Sequence, residues 1–142
     1  MRLLSLRLLA ALAICLFISG KTASAADDDP MDRLLDAIAR VESRSDTNAV
    51  GDHGRALGAY QIHRRYWQDG TRILGVDWRY RDAHDPAKAR RVVRAYLSHY
   101  GRGRSLLDMA RIHNGGPQGD RMKATEKYAR KIEAILKGTR TS

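Results

Sequence analysis

The stretch "LLDAIARVESRSD", Leu34 to Asp46, holds a carboxylate where its own pattern asks for an apolar side chain. Leu34, Leu35 and Ile38 recur at helical spacing, and the next position on that face, four beyond Ile38, is Glu42. A glutamate at the last turn of a helix, on its apolar side, meets two effects. Partial burial and the negative end of the helix both disfavour the anion. The position therefore predicts a raised pKa, which suits a general acid near neutral pH. Two other readings remain open: a frayed helix end with Glu42 in water, and an ion pair with Arg40, Arg44 or Arg55. Acid-assisted cleavage of a glycosidic bond commonly uses a second carboxylate across the scissile bond. Asp46 follows too closely and reads as a turn or capping residue. Asp52 stands in "VGDHG", where the glycines allow a tight reversal that carries it back toward Glu42. The alternative for Asp52 is an ordinary turn residue.

Other chemistries are less well furnished. The five histidines, His53, His63, His84, His99 and His113, form no H-E-x-x-H or other metal spacing. There is no G-x-S-x-G elbow and no phosphate loop. No metal and no organic cofactor are expected. Tyr60, Tyr66, Trp67 and Trp78 either offer flat faces to sugar rings or belong to the core. His113 and Asn114 stand before Gly115, Gly116 and Pro117, an arrangement that also reads as a helix stop.

The elements that position these residues are mostly helical. Helix one is expected from Pro30 to Ser43, with Asp29 as N-cap. Ser43 to Gly58 has no helical period and reads as turns with a short hairpin. Helix two is expected near Ala59 to Gln68, followed by loop with a helical turn around Arg72 to Leu74. Helix three starts at Asp85–Pro86 and stops at Gly101. Helix four starts at Ser105, where "SLLD" resembles a capping box, and ends at "NGGP". Helix five spans about Lys123 to Lys137, with Gly138 as its stop. The expected class is α+β and mostly α, with about five helices and a small hairpin excursion flanking a cleft.

The 142 residues carry a formal charge of +10. The first 25 read as a signal peptide: a basic start in "MRLLSLR", the apolar run "LLAALAICLFISG", and the A-x-A site Ala23-Ser24-Ala25. Residues 26–142 are then one domain carrying +7, because Arg2, Arg7 and Lys21 leave with the leader. Its only cysteine, Cys15, also lies in that leader, so the domain is expected to rely on packing without disulfides. The protein is expected to be secreted or periplasmic, with no stable membrane insertion after cleavage. Its basic character draws it to anionic polymers such as bacterial wall, nucleic acid or membrane surface.

"VES", "LGAYQI", "YWQD" and above all "ARIHNGGP" together resemble the invertebrate-type lysozymes of the destabilase family. "AIARVES…NAVGD…GAYQI" is also similar to the wider lysozyme-like superfamily, including soluble lytic transglycosylases. The resemblance covers roughly Leu34 to Leu136 and implies a lysozyme-like fold. It places the family's general acid on Glu42 and its second catalytic carboxylate on Asp52. It implies substrate-binding roles for Ser43, Gly58, Tyr60, Gln61, His113 and Asn114, with Tyr60 and Gln61 lining the cleft and His113 and Asn114 near the sugar-binding floor. The chain departs from the disulfide-rich animal proteins in having no cysteine after the leader and in having Gly51, not Trp, before Asp52. It looks like a bacterial-style relative.

The expectation is a monomeric, lysozyme-like glycosidase acting on the β-1,4 links between N-acetylated amino sugars of peptidoglycan or a related polysaccharide. The alternatives are a lytic transglycosylase using Glu42 alone and a non-catalytic wall-binding module. Specific nucleic-acid binding is not expected, since only the charge suggests it.

Overall fold

The computed structural model describes residues 29–139. The leader assigned to residues 1–25 lies outside the described residues, as do residues 26–28 and 140–142. Helix α1 is Pro30–Ser43. The Asp29 carboxylate accepts from the Met31 N–H at 3.0 Å, and proline fills the first turn. Both features satisfy or remove backbone donors that a helix start leaves unpaired. Leu34, Leu35 and Ile38 are fully buried. The helix ends where Arg44 and Ser45 turn to positive φ.

The polar excursion then forms a three-stranded antiparallel sheet of very short strands: β1 (Val50–Gly51), β2 (Ala56–Leu57) and β3 (Ile62–His63), in the order β1-β2-β3. Val50 pairs with Leu57, and Ala56 pairs with His63. A 3-10 turn at Asp52–Gly54 joins β1 to β2. The sheet is too small to stand alone. It is tied down by the Tyr80 hydroxyl, 2.7 Å from the Arg55 carbonyl and 2.8 Å from that of Ile62, and by His84 Nδ1, 2.8 Å from the Thr47 carbonyl.

Four further α-helices follow among the described residues: α2 (Arg64–Leu74), α3 (Pro86–Tyr100), α4 (Leu106–Gly115) and α5 (Glu126–Gly138). Helices α3 and α4 begin and end within a residue of where the sequence places them, with Asp85 and Ser105 as N-caps. Helix α2 corrects the expectation of Ala59 to Gln68. Gly58 and Gln61 adopt positive φ, so the chain turns and pairs as β3 before a helix can start. The helix then runs through Gly70 to Leu74. Gly70 is no breaker: a Cβ there would lie 2.6 Å from Val92 Cγ1, so glycine lets α2 approach α3 closely. Helix α5 starts at Glu126, after a 3-10 turn at Lys123–Thr125 where the expected helix begins.

Leu34, Ile38, Trp67, Val92, Val93, Leu97, Ile112 and Ile132 form the heart of one core. Trp67 is buried, and its indole N–H donates to the Trp78 carbonyl at 3.1 Å, so it packs in the core and offers no face to a sugar. Outside the core, Arg90 and Arg94 of α3 clamp Asp29 and Asp32 at the start of α1. That clamp fixes the helix that carries Glu42. Among the described residues no helix is long and apolar enough to cross a membrane.

Candidate active site

The C-terminal end of α1, the sheet, the first turns of α2 and the end of α4 enclose a cleft of about 610 Å³. Glu42, Asp52, Gln61, Tyr66, His113 and Asn114 line it. A groove of similar size, about 640 Å³, lies between α1 and α5 and is lined by the cations Arg40, Arg44 and Lys131 without any carboxylate. An acid–base constellation exists only in the first of the two.

Glu42 sits at the floor, with 19% of its side chain exposed. Its Oε1 is 3.5 Å from Nε2 of His113, which is itself 4% exposed. Tyr66 Oη lies 3.1 Å from the other ring nitrogen, Nδ1. Three helices thus contribute to one line of polar groups: Tyr66 from α2, His113 from α4 and Glu42 from α1. The Tyr128 hydroxyl of α5 is buried beside them, with no partner in hydrogen-bond geometry among the described residues.

The electrostatics correct the expectation of a raised Glu42 pKa. Burial, the largest single effect, does push it up. The hydrogen bond and charge of His113, the nearby Tyr128 hydroxyl and the charge of Lys131 act the other way and together prevail. The Glu42 carboxyl is held below its ordinary range. The charge contribution of His113 exists only while the imidazole is protonated; with a neutral ring, burial counts for more.

Asp52 faces the same cleft from its rim. It has a positive φ of 46° in the 3-10 turn, and its side chain is 40% exposed. Arg55 donates to its Oδ1 at 2.9 Å, and His63 Nε2 lies 3.5 Å from Oδ2. Two flanking side chains therefore fix its direction.

Of the sequence-derived candidates, Glu42, Asp52, Gln61, His113 and Asn114 come together in the cleft, while Ser43, Gly58 and Tyr60 stay out of it. The Ser43 hydroxyl donates to the Ala59 carbonyl at 2.8 Å and closes the excursion onto α1. A Cβ on Gly58 would lie 2.1 Å from the Ala83 carbonyl oxygen, so this glycine serves a backbone contact. Tyr60 is buried and its hydroxyl accepts from Arg90 at 3.2 Å, on the side of the α1–α3 clamp. Gln61 enters the cleft because its positive φ turns it away from its neighbour, and its amide N–H donates back to the Gly58 carbonyl at 3.0 Å. Arg65 and Asp69 line the cleft as well and were not singled out in the sequence. They stand four apart on α2, at helical spacing, and Asp69 lies beyond the Gln68 end of the expected helix. Among the described residues no cluster of three or more His, Asp or Glu could hold a metal ion.

Among the described residues, five α-helices around one core, with a three-stranded sheet beside the cleft, make a lysozyme-like fold. A chain of the crystal structure of Aeromonas hydrophila PliI in complex with Meretrix lusoria lysozyme superposes with a TM-score of 0.63 at 30% identity, covering 72% of this chain and 88% of that one. The sequence model of the Destabilase family matches residues 31–135, and the chain belongs to that family. It is 37% identical over 110 residues to Lysozyme 1 of Crassostrea virginica, covering 72% of this chain and 58% of that protein. It is 36% identical to the lysozyme of Magallana gigas and 38% identical to that of Ostrea edulis, covering 69% and 68% of this chain and 74% of each relative. The chain thus spans a little over half the length of the Crassostrea virginica protein.

Proposed function

We propose that this protein is a lysozyme-like glycoside hydrolase that cleaves β-1,4 bonds between N-acetylated amino sugars of peptidoglycan. The observation that carries the reading is the pairing of a part-buried Glu42 with a buried His113 in a cleft that Asp52 also lines. Glu42 protonates the leaving glycosidic oxygen. Asp52, aimed by Arg55 and His63, attacks the anomeric carbon or orients the attacking water. Gln61 and Asn114 offer amide donors and acceptors to sugar hydroxyl and N-acetyl groups.

A lowered Glu42 pKa in the free protein is compatible with this role. A saccharide filling the cleft removes the remaining water around Glu42, and that strengthens the burial effect favouring the protonated acid. It also implies best activity on the acidic side of neutrality. The net positive charge favours capture of an anionic wall. The reading takes residues 1–25 as an export signal, acts in the periplasm or outside the cell, and needs neither a cofactor nor a second subunit.

Digestion of purified peptidoglycan tests it. The reading expects new reducing ends and a strong loss in Asp52→Asn. Anhydro-sugar ends with full Asp52→Asn activity mean a lytic transglycosylase that uses Glu42 alone. Binding without turnover by the unaltered protein means a wall-binding module.

A further inference from the structure

The two ring nitrogens of His113 have different neighbours: Glu42 Oε1 at 3.5 Å from Nε2, and Tyr66 Oη at 3.1 Å from Nδ1. With the imidazole side chain 4% exposed, bulk water is a poor substitute for either. Tyr66 is held rigidly. Its ring stacks on Tyr96 of α3, with centroids 3.7 Å apart and planes 16° from parallel. Its phenol stays protonated, because burial first, and then the neighbouring Tyr96, Tyr128 and Glu42, push its ionisation well above the ordinary range. Nδ1 is its one hydrogen-bond partner among the described residues.

A phenol can donate or accept, but the ionised Glu42 carboxylate at Nε2 can only accept, so the arrangement that pairs both ring nitrogens has Nε2–H facing Glu42 and Tyr66 donating to a bare Nδ1. In the neutral ring the proton then belongs on Nε2. We infer that Tyr66 is a positioning residue that fixes His113 in the Nε2–H tautomer, so that the ring presents a donor to Glu42. The tautomer follows from the contacts alone; its catalytic consequence rests on the glycosidase reading above. In the opposite tautomer Nε2 would turn a lone pair toward Glu42 and would accept the proton that Glu42 must pass to the leaving oxygen. With Nε2 already protonated, that diversion is closed and the carboxyl keeps one direction. The titratable and charged groups around the pair are Tyr66 on α2 and Tyr128 and Lys131 on α5. Of these, Tyr66 is the one bonded to Nδ1.

The test is a two-bond proton–nitrogen correlation spectrum of the full protein labelled with 15N-histidine, at a pH where the ring is neutral. His113 is assigned by its disappearance in His113→Phe. The expected wild-type signature is Nε2–H. Tyr66→Phe keeps the stacked ring and removes only the hydroxyl; with the Glu42 carboxylate still accepting at Nε2, it is expected to raise the share of Nδ1–H above the wild type without reversing the tautomer, and to lower kcat on peptidoglycan on the order of two- to tenfold with KM unchanged. An Nδ1–H signature in the wild type, or an unchanged share of Nδ1–H in Tyr66→Phe, overturns the inference. The wild-type spectrum decides the tautomer even where Tyr66→Phe fails to fold. It also needs no turnover, so a correct tautomer in a protein without glycosidase activity sinks the functional reading and leaves the tautomer standing.

Discussion

Replacing Gly58 by alanine separates a packing role from a substrate contact at one position. Gly58 has a φ of +71°, and a Cβ built on it lies 2.1 Å from the Ala83 carbonyl oxygen and 3.0 Å from the carbonyl carbon. Real Cβ contacts essentially never fall below 3.0 Å, so the turn and the Ala83 backbone must part by about 0.9 Å. Both partners are backbone, so no flexible side chain can give way. A left-handed conformation costs a non-glycine residue about 1–2 kcal/mol. Overpacking against a fixed neighbour adds about 1–3 kcal/mol. The expected loss is roughly 2–5 kcal/mol, a large share of the roughly 5–15 kcal/mol that a domain of this size commands. Urea denaturation reads this as a lower midpoint at an unchanged slope, and a thermal scan as a fall of about 10 °C or more. Activity is expected to follow the folded fraction, because Gly58 does not line the cleft. A stability change below about 0.5 kcal/mol, combined with a raised KM, would refute the packing argument and make Gly58 a substrate contact.

Two further outcomes follow from the charges. Hydrogen bonds from Arg90 and Arg94 hold Asp32 below its ordinary pKa, and those from Arg94 and the Met31 amide do the same for Asp29. Carboxylates depressed in the folded state stabilise it above their unfolded pKa of about 3.9, and the contribution is lost as pH falls through the lowered folded values. Urea midpoints measured from about pH 5 downward are expected to fall less steeply in Arg94→Gln than in the wild type; identical slopes would show that the clamp does not matter. His113→Phe removes the strongest influence lowering Glu42 and leaves burial in place. Glu42 then rises, and the alkaline limb of the activity profile moves to higher pH. A limb that stays put or moves to lower pH contradicts the assignment of Glu42 as the acid. The same change leaves the Tyr66 hydroxyl without its acceptor, at about 1–3 kcal/mol of stability.

Helix α1 was legible because everything that defines it is local. Asp29 and Pro30 mark its start, and Leu34, Leu35 and Ile38 set the face on which Glu42 falls. The caps at Asp85 and Ser105 made α3 and α4 legible in the same way. Helix α2 was misplaced because Ile62 and Tyr66, four apart, fit a helix but belong to different elements. Ile62 is claimed by a strand pairing with Leu57. That choice is made by backbone turns at Gly58 and Gln61, which carry no periodic signal. The same misplacement left Asp69 outside the expected helix, whereas Tyr60 was assigned to the cleft by the family resemblance and not by any helical pattern.

The direction of the Glu42 pKa was out of reach for another reason. Sequence reveals burial and helix position, both of which raise it. The groups that lower it, His113, Tyr128 and Lys131, come from α4 and α5 and meet Glu42 only after folding. Local pattern located the carboxylate; long-range packing determined its chemistry.

The central claim is that Glu42 is the proton donor in glycosidic cleavage. Glu42→Gln keeps the size and much of the hydrogen bonding of the side chain and removes its acidic proton. Its turnover of purified peptidoglycan, measured beside its wall binding and far-UV spectrum, is the most direct test. The account predicts a folded, wall-binding protein whose kcat has dropped on the order of a hundredfold or more. A folded Glu42→Gln protein that digests peptidoglycan as fast as the wild type would contradict it.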